Sequence, residues 1–231
     1  MTNITFWGLT ASPYQLKMQA LADYAEIPWQ RFPDQANSAS ALALFVRLRL
    51  ARMRGAVQRF PHYVPELDEY QEVPYYSLNG KQFYYDSTGL ALHLDSLQAS
   101  THPLLPAEQT TRFLCRLFDD AFDEFGLYMA HHNRWITSAQ TNVMAVMTTR
   151  EMHSILPPFM RKRIQNNLAR RQVRRCPYLF SVAPQDYSCD MPADLTPPSR
   201  AGFPATQQLL DQAWRRYLAA IEHILEPVSY T

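Results

Sequence analysis

The pattern of apolar and polar positions changes character twice along this chain. Ile4 to Leu9 is apolar, aromatic and β-branched, which predicts a short strand. Thr10, Ala11, Ser12 and Pro13 then turn the chain into a helix. Ser12 suits the N-cap, Pro13 suits the first helical position, and Leu16, Ala20, Leu21 and Tyr24 recur on one face up to the stop before Pro28. A second strand around Trp29 to Phe32 completes a βαβ start, whose crossover is expected to be right-handed. Between Pro33 and Glu72, SALALFVRLRLARMRGA reads as a helix and the rest as an irregular connection. VPYYSLNGKQFYYD follows as two strands around Asn79-Gly80, a pair that supplies the positive φ angles of a tight hairpin turn. Asp86 and Ser87 are candidate caps for the next helix, with Leu90, Ala91, Leu94 and Leu97 as its buried stripe.

After the linker THPLLP the spacing is helical only. Phe113, Leu114, Leu117, Phe118, Ala121, Phe122 and Phe125 keep one stripe from about Ala107 to His132. Further helices are expected from about Ala139 to Ser154 and from Pro158 to Arg175. Pro-rich irregular chain then runs from Cys176 to Pro204. Leu209, Leu210, Ala213, Trp214, Tyr217, Leu218, Ile221 and Leu225 mark one more amphipathic helix. The expectation is an α/β domain over 1–99 with an enlarged 33–72 connection, and an all-α domain over 106–231.

Composition narrows the function classes. With 231 residues, 47% hydrophobic content and a net charge of +1, the chain has the make-up of an ordinary globular protein able to bury a core. The start, MTNITFWGLTASPYQLKM, has no basic n-region and no unbroken apolar run, and no stretch of about 18 apolar residues occurs, so neither a secretory signal nor a membrane span is expected and the cytoplasm is the default compartment. Cys115, Cys176 and Cys189 are odd in number and scattered, which argues for reduced thiols and against a disulfide framework or a zinc pair. The balanced charge argues against a general nucleic-acid partner. Two basic runs, Arg47 to Arg54 and Arg161 to Arg175, are read as solvated helix faces in preference to sites for RNA, phosphates or an anionic membrane.

Two blocks carry a resemblance to a known family. ASPYQLKMQALADYAEIPW resembles the first helix of the glutathione S-transferase superfamily, with Ser12 at the active-site position and Lys17 where a basic residue is common. VPYYSLNGKQFYYDSTGLALHL is similar to that family's cis-proline, hairpin and glutathione-binding helix, with Val73, Pro74, Asp86 and Ser87 at the matching positions. The resemblance covers roughly residues 3 to 135. It implies a thioredoxin-like α/β domain followed by an all-α domain, glutathione as co-substrate, and a homodimer. The chain departs from the family in its longer 33–72 connection, which implies an altered rim over the glutathione site. It also stops at Thr231, where the family continues into a further buried helix, so the helical domain is expected to be incomplete.

The resemblance implies a division of labour among these residues. A thiol with a pKa of about 8.5 reacts better once held as thiolate. Ser12 would donate to that sulfur at a helix N-terminus, with Tyr14 as rival and Thr10 as a weaker one. A plain N-cap remains the other reading of Ser12. Val73 would pair like a strand with the cysteinyl part of glutathione beside a cis Pro74, while Asp86 and Ser87 would hold the γ-glutamyl end or simply cap their helix. Tyr128, His131, His132 and Trp135 would line a second-substrate pocket, or else sit in core or rim positions. His131 and His132 are adjacent on a helix and point apart, and no third ligand has sensible spacing, so no metal is expected. The expected function is a transferase in which glutathione thiolate attacks an electrophilic small molecule by conjugation, displacement or isomerisation. A non-catalytic binding or assembly module on the same fold is the alternative.

Overall fold

The structure is a computed structural model, and it describes residues 3–59, 74–96, 103–131, 134–135, 143–179 and 203–225. Strand β1 (Ile4–Trp7) leads into α1 (Pro13–Tyr24), β2 (Trp29–Phe32), α2 (Ser38–Met53) and β3 (Val57–Arg59). Then follow β4 (Tyr75–Ser77), β5 (Phe83–Tyr85) and α3 (Ser87–Ser96). The five strands form one sheet in the order β2-β1-β4-β5-β3. β2 runs parallel to β1, β4 antiparallel to β1, β5 antiparallel to β4, and β3 parallel to β5. This is the thioredoxin-like α/β layer expected from the sequence, with β3 added at one edge.

The pleat sends alternate side chains to opposite faces, and each face has its own core. Ile4, Phe6 and Tyr76 project to one side and pack with Met18 and Ala22 of α1 and Leu90 and Leu94 of α3. Trp7, Tyr75, Phe83 and Tyr85 project to the other and pack with Ala41, Leu44 and Leu48 of α2. Tyr75 and Tyr76 thus serve two cores from consecutive positions. The α1 stripe differs from the one expected. Gln15, Met18 and Ala22 are buried, whereas Leu16 and Tyr24 are exposed. Apolar residues occur around much of this helix, so spacing alone does not select the inward face; close approach to the sheet selects the side carrying Ala22.

Two further expectations change in detail. The hairpin strands end at Ser77 and resume at Phe83, leaving a five-residue loop, 78–82, in place of a two-residue turn. Asn79 builds that loop by accepting the backbone N–H groups of Lys81 and Gln82 at 2.9 and 3.0 Å, and Gly80 takes the positive φ of 69°. The basic run in α2 covers aromatic rings: the Arg47 guanidinium lies 5.7 Å from the Phe83 ring centroid and that of Arg52 5.5 Å from Tyr75. This is a packing role for part of a solvated face.

The remaining described elements are all helices: α4 (Gln109–Ala121), a π-helical turn (Phe122–Gly126), α5 (Leu127–His131), α6 (Val143–Glu151), α7 (Pro158–Leu179) and α8 (Phe203–Leu225). The expected helix over 107–132 therefore appears in three pieces. The apolar stripe of α4 is in place, but Phe113, Leu114, Leu117 and Phe118 are exposed. By contact, the chain divides into one compact unit of Met1–Ala121 with Ala145–Gln165, and a second of Phe122–Met144 with Asn166–Thr231. Within the second unit, Tyr217 of α8 packs its ring 5.1 Å from that of Phe122. No helix among the described residues is long and apolar enough to cross a membrane.

Candidate functional site

Strand direction decides where the candidate residues go. Because β4 is antiparallel to both β1 and β5, the carboxyl end of β1, the amino end of β4 and the carboxyl end of β5 lie at the same end of the sheet. Ser12 follows the first, Pro74 precedes the second, and Asp86 and Ser87 follow the third. Helices α1 and α3, which begin at these points, pack on the same face. Ser12 and Pro74, 62 positions apart in the chain, are thereby brought to the same end of the sheet.

Gly8 makes the close approach possible. Its N–H donates to Phe32 O at 3.1 Å, tying the end of β1 to β2. A Cβ at this position would lie 1.8 Å from Gln15 Oε1 and 2.9 Å from Pro74 Cβ, so only glycine lets α1 and the start of β4 meet here. Gln15 is fully buried, and neither atom of its carboxamide has a hydrogen-bond partner among the described residues.

Ser12 occupies the N-cap of α1 with extended backbone, φ −90° and ψ 123°, yet its hydroxyl makes no capping hydrogen bond. The cap is a matter of backbone only: Ser12 N–H donates to Leu9 O at 2.9 Å, and Ser12 O accepts from Leu16 N–H at 3.4 Å. Tyr14 sits half-buried in the first turn of the same helix. At α3, Asp86 adopts a φ of 87°, a region tolerated by a short polar side chain. Its Oδ1 accepts Thr88 N–H at 2.9 Å and Gly89 N–H at 3.1 Å. Asp86 therefore does cap the helix. Ser87 is buried at its first position. Val73 and the bond joining it to Pro74 lie outside the described residues, and Pro74 itself is buried.

Thr10 is held from far along the chain. Its N–H donates to Glu151 Oε2 at 2.9 Å and its hydroxyl donates to Glu151 Oε1. Glu151 is buried at the end of α6, 3.7 Å from the guanidinium of Arg31, which in turn bonds Asp34 at 2.7 Å. Sequence reasoning passes over this anchor because the partners are 141 residues apart and no local pattern marks Glu151. Lys17 has a second structural engagement: Nζ lies 2.5 Å from Asp119 Oδ1 and 3.2 Å from Thr88 Oγ1, and Thr88 donates to Asp119 Oδ2 at 2.7 Å. These contacts tie α1, α3 and α4 together.

Burial, with the nearby charge of Asp86 and the Tyr84 ring's phenol adding to it, raises the Tyr76 hydroxyl far above the ordinary phenol value and keeps it neutral. The expected second-substrate residues belong to the second unit. His131 and Trp135 are buried there, and His131 Nε2 lies 3.4 Å from Gln172 Oε1. Tyr128 falls in α5, its side chain outside the described residues, as is the whole of His132. Among the described residues no group of three or more His, Cys, Asp or Glu is placed to hold a metal ion.

No protein-family pattern matches this chain, and no curated protein matches it by sequence. Among solved structures it is similar to the crystal structure of a glutathione S-transferase, CsGST63524, of Ceriporiopsis subvermispora in complex with glutathione. The identity is 16%, with 94% of this chain and 74% of that chain covered, at a TM-score of 0.41.

Proposed function

We propose that this chain is a glutathione transferase-like enzyme that binds glutathione at the rim formed by Ser12, Val73, Pro74, Asp86 and Ser87 and presents its thiolate to an electrophilic small molecule. One observation carries the reading. Three strand ends bring Ser12, Pro74 and the Asp86-Ser87 pair to the same end of the sheet, and the Ser12 hydroxyl stands at a helix N-terminus without spending itself on the cap. A hydroxyl so placed can donate to a thiolate, and the partial positive charge of the α1 N-terminus favours the same anion. Asp86 would take the γ-glutamyl ammonium through the oxygen that does not cap the helix, while the Ser87 hydroxyl and the partial positive charge of the α3 N-terminus attract its carboxylate. The carboxylate oxygen that already accepts two N–H groups holds Asp86 in a fixed orientation for that task. Glutathione supplies the nucleophilic sulfur; the chain's own contribution is to bind, orient and stabilise its anion.

Retention on immobilised glutathione tests the binding half. Asp86→Ala is expected to abolish retention. Ser12→Ala is expected to keep retention but to lose the ultraviolet absorbance of bound thiolate and the conjugation of a model aryl chloride. A Ser12→Ala protein that conjugates at an undiminished rate would move the donor role to Tyr14, and an Asp86→Ala protein that is retained normally would remove the proposed cradle.

A further inference from the structure

Helices α1, α3 and α4, with Leu104 and Leu105 of the segment before α4, line a half-open cavity of about 170 Å³ inside the first compact unit. Its apolar wall is made by Leu21, Ala91, Leu92, Leu104 and Leu105, all only half-buried. The polar side of the wall is Lys17, Thr88 and Asp119, and these three satisfy one another through the contacts of 2.5, 2.7 and 3.2 Å. Arg116 and Asp120 add one charge of each sign at the mouth, so the charged lining sums to zero: two cations, Lys17 and Arg116, against two anions, Asp119 and Asp120.

These properties specify an occupant. An apolar cavity of about 150 Å³ accommodates a benzene-sized molecule. A charged guest would meet both signs in a lining that sums to zero, or would have to break the Lys17–Asp119 pair, and so gains no net counter-charge for the hydration it loses, whereas an uncharged ring gains contact with the leucines. We propose that this cavity binds an uncharged small molecule with a single aromatic ring or an alkyl body of equal size, separately from the proposed glutathione rim.

Cys115 lines the mouth with an exposed thiol and so reports occupancy. The test follows alkylation of Cys115 by iodoacetamide, read peptide by peptide by mass spectrometry, in protein free of glutathione. Benzyl alcohol is expected to slow the reaction saturably, by about threefold when its concentration is twice its dissociation constant. Benzoate and benzylammonium at the same concentration are expected to leave it unchanged. Filling the cavity with Leu92→Trp, or more gently with Ala91→Leu, should remove the protection. If Leu92→Trp does not fold, Ala91→Leu and the wild-type comparison of the three probes decide the matter. Protection that fails to saturate, that is equal for all three probes, or that persists in Ala91→Leu overturns the proposal. None of these readouts depends on glutathione, so failure here is distinct from failure of retention on immobilised glutathione.

Discussion

Replacing Gly8 by alanine should damage the rim before any ligand is considered. The added methyl would lie 1.8 Å from Gln15 Oε1 and 2.9 Å from Pro74 Cβ, both well inside contact distance. Gln15 can swing its amide only into a packed interior, since it is fully buried, and Pro74 belongs to a ring at the start of β4. Overpacking of this kind costs about 1 to 3 kcal/mol. With a urea slope of about 2 kcal/mol/M, the unfolding midpoint should fall by roughly 0.5 to 1.5 M while the slope itself stays unchanged. A double-mutant cycle separates the two contacts. In a Gln15→Ala background the worse clash is gone, and the same Gly8→Ala change should cost about 1 kcal/mol less. A wild-type midpoint for Gly8→Ala, or an equal loss in both backgrounds, would refute the close approach on which the rim depends.

Two other perturbations address the supports of the site. Glu151→Ala removes both acceptors of Thr10 and leaves Arg31 with Asp34 as its remaining anion, which should cost about 3 kcal/mol and raise hydrogen exchange at the Thr10 amide; an unchanged Thr10 amide would sink the anchor. At α4, the backbone N–H groups of Thr110 and then Thr111, followed by the Thr111 hydroxyl, hold the Glu108 carboxyl down at about 2. The folded value lies below the unfolded one, so this cap contributes fully above the ordinary carboxylate range and is lost as pH falls toward 2. Carbon-detected NMR should place the Glu108 midpoint near 2, with the Thr110 and Thr111 amides moving together; a midpoint in the ordinary carboxylate range would contradict the cap.

Much of the α/β layer was legible because its signals are local. Ser12-Pro13 marks where α1 begins, the apolar run at Ile4 marks β1, and Asp86 marks the start of α3 by the capping geometry that its side chain adopts. What escaped depends on partners. The inward face of α1 is chosen by the sheet beneath it, and an apolar Leu16 on the outer side misleads any count of spacing. The hairpin loop lengthened because Asn79 uses its side chain to bond the next two amides, a choice open to the same Asn-Gly pair. Glu151 and Asp119 were invisible as anchors of Thr10 and Lys17, since a carboxylate on a helix carries no sign of which distant group it will meet. Strand direction puts Ser12, Pro74 and Asp86 at the same end of the sheet, and that direction is set by pairings between strands far apart in the chain, which no local pattern displays.

Because residues 145–165 fold back onto the unit formed by the first 121, that unit is not finished in the order in which it is synthesised. The turn bearing Thr10 leaves the ribosome early, while the carboxylate that grips it emerges 141 residues later. A nascent chain can therefore lay down its first strand and helix and still hold the rim unlocked. A fragment cut after α4 would keep β1, α1, β4 and α3 but would carry a loose Thr10 and an Arg31 left with Asp34 alone.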